Sequence, residues 1–401
     1  MPPTRAPAAT ERVKLVELDG LRAWLAWWVV IGHMIIECGW NRTWLPAFGR
    51  VVMAPPLAVN VFIILSGFVI VLLLDTQRLG YRAFITARFF RLFPLYYVLL
   101  AINLIALPWL IAFYPDFLAK VGDPNNLHEL FATWIGHRQR LFQHLGACVV
   151  GLHGCMPNAW LPNAHNAFVS QAWSISLEWQ FYLVVPFVFG LIRRLRWLLV
   201  ACVVAIVVVG VRELIPIGGW GAFLPMQVEL FALGGVSYFA YKNVRLDGGA
   251  DLYAKAMVCV VVLCLLLTSC FTTAIFSPWT DRNFVDRGIS ISVWVAILAL
   301  MIARRHAADQ RIVRWFSLPF CHPIATFLGR ISYSTYLGHY LIIFLLQYAS
   351  LHFFPNHLNK WTALGFQLGL GLPLVLTLSW FLYSFIELPG IQLGKRWLKR
   401  G

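Results

Sequence analysis

The sequence predicts an all-α polytopic membrane protein with about ten transmembrane helices. Of its 401 residues, 60% are hydrophobic and only 12% are charged, and the mean hydropathy is +0.72. Soluble globular chains carry about 25% charged residues. Repeated uncharged runs of about twenty apolar residues, each long enough to cross the hydrocarbon core, explain this composition. A soluble enzyme, a secreted disulfide scaffold and a disordered regulator are therefore excluded.

Ten runs have the length and apolar character of a membrane span. The first is rich in tryptophan and has no small-residue cleavage site, so we predict that it is retained as a helix and not removed as a signal peptide. The predicted spans lie near residues 21–40, 54–74, 93–113, 169–190, 197–215, 222–241, 253–275, 288–303, 326–349 and 362–386.

The basic residues predict the orientation of these spans. With the N-terminus in the cytoplasm, 23 of the 32 lysine and arginine residues fall in cytoplasmic segments. Cytoplasmic loops carry an excess of basic residues, so both termini are predicted to lie inside. The same distribution accounts for the net charge of +15 without any need for nucleic acid.

Two segments lie outside the predicted spans. Residues 1–14 are rich in proline and alanine and are predicted to form a mobile cytoplasmic tail, which leaves 15–398 as a single transmembrane domain with one long outer loop at 114–168. Cys148 and Cys155 of this loop are close enough in sequence to pair or to remain free. Its histidines match no standard zinc spacing, so no metal is expected; they are His128, His137, His144, His153 and His165.

Several ionisable side chains fall inside the predicted spans. Arg22 and His33 are eleven residues apart, very nearly three helical turns, and so project from one helix face. A histidine inside the bilayer is costly unless it faces a cavity or a partner, and the alternatives are a proton shuttle or a histidine hydrogen-bonded between helices. Glu178, Glu229 and His339 fall at nearly the same depth as His33. The shared depth favours one buried site over independent packing roles.

Glu37 stands one turn above His33 on the same helix. It could orient the imidazole or line the outer mouth of the site. We favour the mouth.

Six segments in order resemble the membrane-bound acyltransferase-3 proteins, which O-acylate bacterial glycans and other extracytoplasmic or membrane-bound acceptors. The resemblance runs from residue 17 to about 398. The segments are ELDGLRAWLAWWVVIGH at 17–33, FIILSGFVI at 62–70, ARFFRLFPLYYV at 87–98, WSISLEWQFYLVVP at 173–186, GRISYSTYLGHYLI at 329–342 and SFIELPGIQLGKR at 384–396.

The resemblance implies roles for individual residues of this chain. The chain departs from the pattern of the glycan-acylating members at two places: it reads YLGH at 336–339 and ELP at 387–389, where those members often read YLWH and ERP. By resemblance, Arg22 and His33 match the essential arginine and histidine of the first helix, Arg88 and Arg91 match an RxxR element, Glu178 matches the glutamate of WSxxxE, and His339 closes YLxH.

A donor site follows from these positions. Arg88 and Arg91, three residues apart at the predicted cytoplasmic border, form a double cation suited to the phosphates of coenzyme A, although ordinary positive-inside charge would also place them there. Asp19 could hold Arg22 in place or balance its charge. Ser66 and Gly67 favour close helix packing that leaves room for the pantetheine arm. The predicted donor-binding residues are Arg88, Arg91, Asp19, Ser66, Arg330 and His339.

The implied reaction moves an acyl group from cytoplasmic acyl-CoA, with acetyl-CoA as the expected donor. His33 would act as general base or would itself carry the acyl group. Glu178 would orient His33, as the third member of a triad does. Arg22 would hold the donor or stabilise developing negative charge. His33, Glu178 and Arg22 are thus the predicted catalytic residues.

The predicted acceptor is a hydroxyl of an extracytoplasmic or lipid-linked sugar, and Trp134, Phe142 and Trp160 of the outer loop are expected to stack on sugar faces. A macrolide or another hydrophobic alcohol is the alternative acceptor. The predicted location is the bacterial inner membrane, with membrane lipids as partners. The rival function is a non-catalytic carrier for a lipid-linked sugar or small metabolite.

Overall fold

The computed structural model describes residues 15–42, 45–77, 79–123, 128–194, 222–243 and 282–400, together with 204 and 207. The predicted tail at 1–14, the predicted span at 253–275 and nearly all of the span at 197–215 lie outside the described residues. Within the described part, the chain is helical and contains no strand.

The described part of the chain contains thirteen helices. In chain order they are α1 (Val16–Glu37), α2 (Ala47–Val52), α3 (Pro55–Thr76), α4 (Tyr81–Val121), α5 (His128–Gln139), α6 (Leu141–Val150), α7 (Trp173–Arg194), α8 (Val228–Asn243), α9 (Arg282–Ala307), α10 (Arg311–Cys321), α11 (Pro323–Arg330), α12 (Ser332–Phe353) and α13 (Lys360–Arg400).

Five of the described helices are long and apolar enough to cross a membrane. They are α3, α4, the helical run Ser170–Arg194 that contains α7, the Asp286–Ala307 part of α9, and α13. The all-α, multi-pass class is therefore confirmed, while the count of ten spans and the orientation stay predictions. Helices α1 and α12 have the same length as α3, 22 residues, but are more polar.

Helix α4 is a continuous helix of 41 residues with three internal prolines. The predicted span began near residue 93, whereas the helix in the structure begins at Tyr81 and continues through Pro94. Prolines are tolerated in membrane helices where neighbouring helices pack around them. Here α13 packs on the proline at Gly390, where a Cβ would lie 2.9 Å from the proline ring.

Helix α13 contains two π-helical stretches, Gln367–Gly371 and Tyr383–Glu387. The helix begins with a capping box in which Asn359 and Thr362 bond each other's backbone. Each π-helical stretch inserts an extra residue into the helix, which turns the following side chains relative to the helix axis. The second stretch ends at Glu387, which is buried and accepts a hydrogen bond from Ser334 over 2.8 Å.

Residues 114–168, predicted as one long outer loop, are mostly helical and fold back onto the bundle. Trp134 is 3% exposed and packs on Tyr114 and Phe344, with ring centroids 5.0 and 5.4 Å away. Tyr97 donates to the carbonyl of Val149 over 2.7 Å. Because Tyr97 lies within a predicted span, the end of α6 reaches the side of the bundle. The stacking role predicted for Trp134 is wrong, since its indole is buried in the core.

Two glycines set a close helix crossing between α3 and α8. A Cβ on Gly67 would lie 2.2 Å from the carbonyl oxygen of Phe231, and a Cβ on Gly234 would lie 1.9 Å from that of Ile64. Small residues let membrane helices approach closely. The close packing expected at Gly67 is thus present, and it positions the adjacent Ser66.

Replacing Gly67 by alanine should destabilise the protein, because no side chain can yield to relieve a clash with backbone. We expect a loss of about 1–3 kcal/mol, typical of an overpacked core, seen as a lower melting temperature in detergent. Gly190→Ala is the matched control, because a Cβ there meets nothing within 4 Å. Equal melting temperatures for the two variants would contradict the crossing.

Candidate active site

A cavity of about 450 Å³ lies between helices α1, α3, α4, α7, α8, α12 and α13. Along α3 it is lined from Ile70 to Val59, eleven residues or about 16 Å of helix. One wall is apolar and the other carries ionisable and hydroxyl groups. The polar residues that line it are Arg22, Ser66, Arg88, Arg91, Ser174, Glu178, Tyr182, Ser332, Tyr333, Tyr336 and Lys395.

Glu178 is the carboxylate of this cavity. Its Oε1 accepts a hydrogen bond from the hydroxyl of Ser66 over 2.9 Å and another from Tyr182, one turn later on α7. The sequence predicted that Glu178 orients His33. In the structure, the hydrogen bonds of Glu178 go to Ser66 and Tyr182, so the carboxylate belongs to the cavity wall.

Three arginines of α1 and α4 face the same cavity. Arg22 forms an ion pair with Asp19 at 3.2 Å, as one of the two sequence interpretations expected. The guanidinium of Arg88 lies over the ring of Tyr182 at 5.8 Å, and its buried Nε has no hydrogen-bond partner among the described residues. Arg91 is within electrostatic range of Glu178. These contacts stack or pair the guanidinium groups without fully neutralising them.

The cavity lining is cationic. Arg22, Arg88, Arg91 and Lys395 line it with four positive charges, and Glu178 lines it with one negative charge. Behind the lining, Asp19 pairs with Arg22 and Glu387 is within electrostatic range of Arg91, which leaves a smaller excess of positive charge. Burying charge without a counter-charge in a low-dielectric interior is expensive. The arrangement therefore suits an anionic ligand that supplies the missing negative charge.

The cavity extends far along α3. Asp75, near the end of that helix, binds Arg193 and Lys242 at 2.6 Å each. Ser66, which lines the cavity together with Arg88 and Arg91, is nine residues from Asp75, or about 13 Å along the helix. The place of the two arginines at a cytoplasmic border stays a prediction.

His33 and His339 form a direct pair beyond the Tyr336 end of the cavity. The Nδ1 of His33 is 2.9 Å from the Nε2 of His339, and the two rings are nearly parallel with centroids 5.2 Å apart. The Nδ1 of His339 is 2.7 Å from the carbonyl oxygen of Tyr336. His339 is fully buried, whereas His33 is partly accessible. A partly accessible imidazole held by a buried one is suited to proton transfer.

Glu37 lies above this pair and is 2% exposed. It accepts hydrogen bonds from the hydroxyl groups of Tyr114 at 2.9 Å and Tyr340 at 3.3 Å, and from the amide of Gln347 at 3.4 Å. It does not line an outer mouth, as the sequence analysis favoured. The ring of Tyr340 separates it from His33 and lies 5.0 Å from the imidazole.

The four residues predicted to share one depth do not form one cluster. His33 and His339 meet, Glu178 lies in the cavity, and Glu229 binds Arg287 instead. Arg330 is exposed, with its Nε 3.4 Å from the carbonyl of Thr326 on its own helix. It is not among the residues that line the cavity.

Three site residues were not singled out from the sequence. Tyr182 is one turn after Glu178, a spacing that places both on one helix face. Tyr336 lines the cavity and its backbone carbonyl binds His339. Lys395 was counted only among the cytoplasmic charges. Of the three, only Tyr182 carried a signal, its spacing from Glu178.

Four histidines of the segment 128–168 are buried. The rings of His137 and His144 have centroids 4.5 Å apart, and His137 binds the carbonyl of Asn163 over 3.1 Å. Across the described ranges, no group of three or more His, Cys, Asp or Glu side chains is arranged to hold a metal ion. Cys148 and Cys155 are unbonded.

Comparison with known protein families decides the classification. The sequence profile of the acyltransferase-3 family, described as an acyltransferase domain, matches residues 15–384. The chain belongs to the acyltransferase-3 family. No curated protein and no solved structure gave a significant match.

The match of this acyltransferase-3 domain includes most of the site. Arg22, His33, Arg88, Arg91 and Glu178 all fall within it. Lys395 lies beyond the matched range. It still lines the cavity, because α13 continues as one helix past residue 384. The family thus supports a membrane acyltransferase, and the cavity and histidine pair are its candidate active site.

Residues 128–168 of this acyltransferase-3 domain contain buried histidines, and we expect this segment to become less stable in acid. Burial lowers the pKa of His144 and His165 to about 4, with a contribution from neighbouring His137. Unfolded histidine titrates near 6.5, so between these values the unfolded segment binds more protons and stability falls as the pH falls. Hydrogen exchange of residues 128–168 should be about tenfold faster at pH 4.5 than at pH 7, after correction for intrinsic rates.

The double variant His144→Gln, His165→Gln is the control, because glutamine does not titrate in this range. Its corrected exchange should depend less on pH than that of the unmodified protein. If both proteins accelerated equally in acid, these two histidines would not be the cause.

Proposed function

We propose that this protein is a membrane O-acyltransferase. It moves an acyl group, acetyl in the first instance, from cytoplasmic acyl-CoA to a hydroxyl of an extracytoplasmic or lipid-linked sugar. The location proposed for it is the bacterial inner membrane. The family supplies acyl transfer; the donor, the acyl group and the acceptor are inferred from the chemistry of the site.

The excess of positive charge in the cavity carries the proposal. Phosphate groups bind arginine through charge-assisted hydrogen bonds, and Arg88 and Arg91 project from adjacent turns of α4 into one space. A coenzyme A headgroup at these arginines would add negative charge where the carboxylates of the protein balance the cations only in part. Lys395 of α13 adds a further cation to the same cavity.

The length of the cavity supports a thioester donor. It runs about 16 Å along α3, from the level of Ile70 to that of Val59. Its upper wall includes Tyr336, whose carbonyl binds His339 and whose ring centroid is 6.3 Å from that histidine's. A pantetheine arm extended through this space would bring its thioester towards the histidine pair from below.

The reaction assigned to this arrangement is direct transfer. His33 takes the proton of the acceptor hydroxyl as its oxygen attacks the thioester carbonyl, and the carbon–sulfur bond then breaks. His33 then gives this proton to the departing thiolate, which leaves as free coenzyme A. Arg22 is the catalytic cation proposed to hold the donor, while Glu178, bonded to Ser66 and Tyr182, is proposed to keep the arginine cluster in place.

A sugar is the proposed acceptor because two aromatic side chains of the outer segment are available for stacking. Phe142 is 85% exposed and Trp160 is 76% exposed. Both line a surface depression that also contains Arg140, which can bond sugar hydroxyl groups. Trp134, buried in the core, is not part of this surface.

A transfer assay tests the proposed function. Protein reconstituted in sealed liposomes would receive radiolabelled acetyl-CoA on the side of Lys395 and candidate glycans or lipid-linked sugars on the other. We expect free coenzyme A and labelled product to appear in equal amounts. Movement of a sugar across the membrane without thioester cleavage would instead indicate a carrier.

Charge reversal at Arg88 and Arg91 should abolish binding of coenzyme A. Each charge-assisted hydrogen bond is worth about 1.5–3 kcal/mol, so the Arg88→Glu, Arg91→Glu variant should bind at least about a hundredfold more weakly. Isothermal titration with coenzyme A measures this. The matched control is Arg314→Glu, an exposed arginine of α10 outside the cavity. Unchanged affinity in the double variant would refute the donor site.

Replacing His33 should remove transfer and leave donor binding intact. A general base contributes about 10²- to 10⁴-fold to rate, so His33→Gln should lose at least a hundredfold in kcat. Its affinity for coenzyme A should stay within about twofold of that of the unmodified protein, because His33 is not among the residues that line the cavity. Transfer at the normal rate would exclude His33 as the base.

A further inference from the structure

The protonation of the histidine pair can be read from its hydrogen bonds. A backbone carbonyl accepts hydrogen bonds and cannot donate them. The Nδ1 of His339, 2.7 Å from the carbonyl of Tyr336, must therefore carry a proton. In a neutral imidazole, the other nitrogen, Nε2, then has a free lone pair.

The assignment continues to His33. The Nε2 of His339 is 2.9 Å from the Nδ1 of His33, and with its lone pair it can only accept a hydrogen bond. The Nδ1 of His33 must therefore be the donor. The remaining nitrogen of His33, Nε2, is left without a proton and is free to accept one.

We propose that His339 is a positioning residue that holds His33 in the tautomer with a basic Nε2. The proposal rests on the function proposed above, in which His33 is the general base. His33 Nε2 takes the proton of the acceptor hydroxyl, and the resulting imidazolium keeps its Nδ1–H bonded to His339. The proton on Nε2 then passes to the departing thiolate, so the pair returns to its starting tautomers without net gain or loss.

The carbonyl that starts this chain is held firmly in place. The hydroxyl of Tyr336 donates to the carbonyl of Gln171 over 3.0 Å and lies 2.8 Å from the hydroxyl of Ser174. The amide of Gln171 donates to the carbonyl of Leu337 over 2.6 Å. These bonds join α12 to the start of α7 next to Tyr336. They fix the carbonyl in the orientation that His339 needs.

The geometry separates the positioning of His33, which the sequence predicted for Glu178, from the positioning of the arginines. His339, expected from the sequence to bind the donor, contacts His33 instead of the cavity. Glu178 is hydrogen-bonded to Ser66 and Tyr182 and faces the arginines. Loss of His339 should therefore change the rate of transfer, and loss of the Glu178 charge should change donor binding.

Two substitutions of His339 test the proposal. His339→Gln keeps an oxygen that can accept from His33 Nδ1, whereas His339→Leu has similar bulk and no acceptor. We expect kcat to fall about a hundredfold in the leucine variant and less than tenfold in the glutamine variant. The KM for acetyl-CoA should be unchanged in both. Glu178→Gln should show the opposite pattern, with a higher KM for acetyl-CoA and a smaller effect on kcat.

NMR of ¹⁵N-histidine-labelled protein provides a second readout that needs no turnover. The signals of His33, assigned by their loss in His33→Gln, should show a protonated Nδ1 and an unprotonated Nε2 at neutral pH. They should keep this pattern in His339→Gln and lose it in His339→Leu. Melting temperatures establish that each variant is folded.

Two results would overturn the proposal. One is an unprotonated Nδ1 on His33 in the unmodified protein. The other is an equal loss of kcat in folded glutamine and leucine variants. If the unmodified protein showed the expected tautomer but transferred no acyl group to any acceptor, the function proposed above would fail, while the positioning of His33 by His339 would stand.

Discussion

Positive charge held inside an apolar helix bundle is the constraint on which the rest of the site depends. Arg22, Arg88 and Arg91 line one cavity, with Glu178 as its carboxylate. Desolvated charges are tolerated only with partners that offset the free energy of desolvation. The aromatic ring of Tyr182 and the carboxylate offset part of it. The positive charge that is left suits the cavity to bind an anion with several charges that can enter and leave.

A rigid frame is needed to hold such charges together. The close crossing of α3 and α8 at Gly67 and Gly234 fixes the helix that carries Ser66, and Ser66 in turn fixes Glu178. On the opposite wall, Tyr336 belongs to both parts of the site. Its side chain lines the cavity and its backbone carbonyl fixes His339. The cavity and the histidine pair are thus coupled through one residue of α12.

The sequence predicted the membrane class, the main helices and the residues that carry charge, because apolar runs and buried ionisable groups are local signals. It did not predict which of these residues meet. Depth along a helix placed His33, Glu178, Glu229 and His339 at one level, but depth says nothing about the direction in which a side chain points across the bundle. Glu229 therefore turned out to bind Arg287.

The segment 114–168 was difficult for a related reason. Its prolines and asparagines at 123–125, 157–158 and 162–163 are the turn signals of a loop, and only tertiary packing shows that Trp134 is buried against Tyr114 and Phe344. The continuous course of α4 through Pro94 likewise involves a residue distant in sequence, since Gly390 lets α13 pack closely on the proline ring. In both cases, contacts distant in sequence override a local preference.

A neutral partner for His33 fits both the membrane and the reaction. A carboxylate in the position of His339 would stabilise a protonated imidazole, but it would also bury a negative charge in the bundle and oppose return of the proton to the thiolate. An imidazole fixed by a backbone carbonyl avoids both costs. It directs the hydrogen bond without adding a charge, which suits the proposed passage of a proton from a hydroxyl to His33 and on to sulfur. The carboxylate lies with the arginines and the imidazole with the proposed base, so each group has a partner that suits its proposed role.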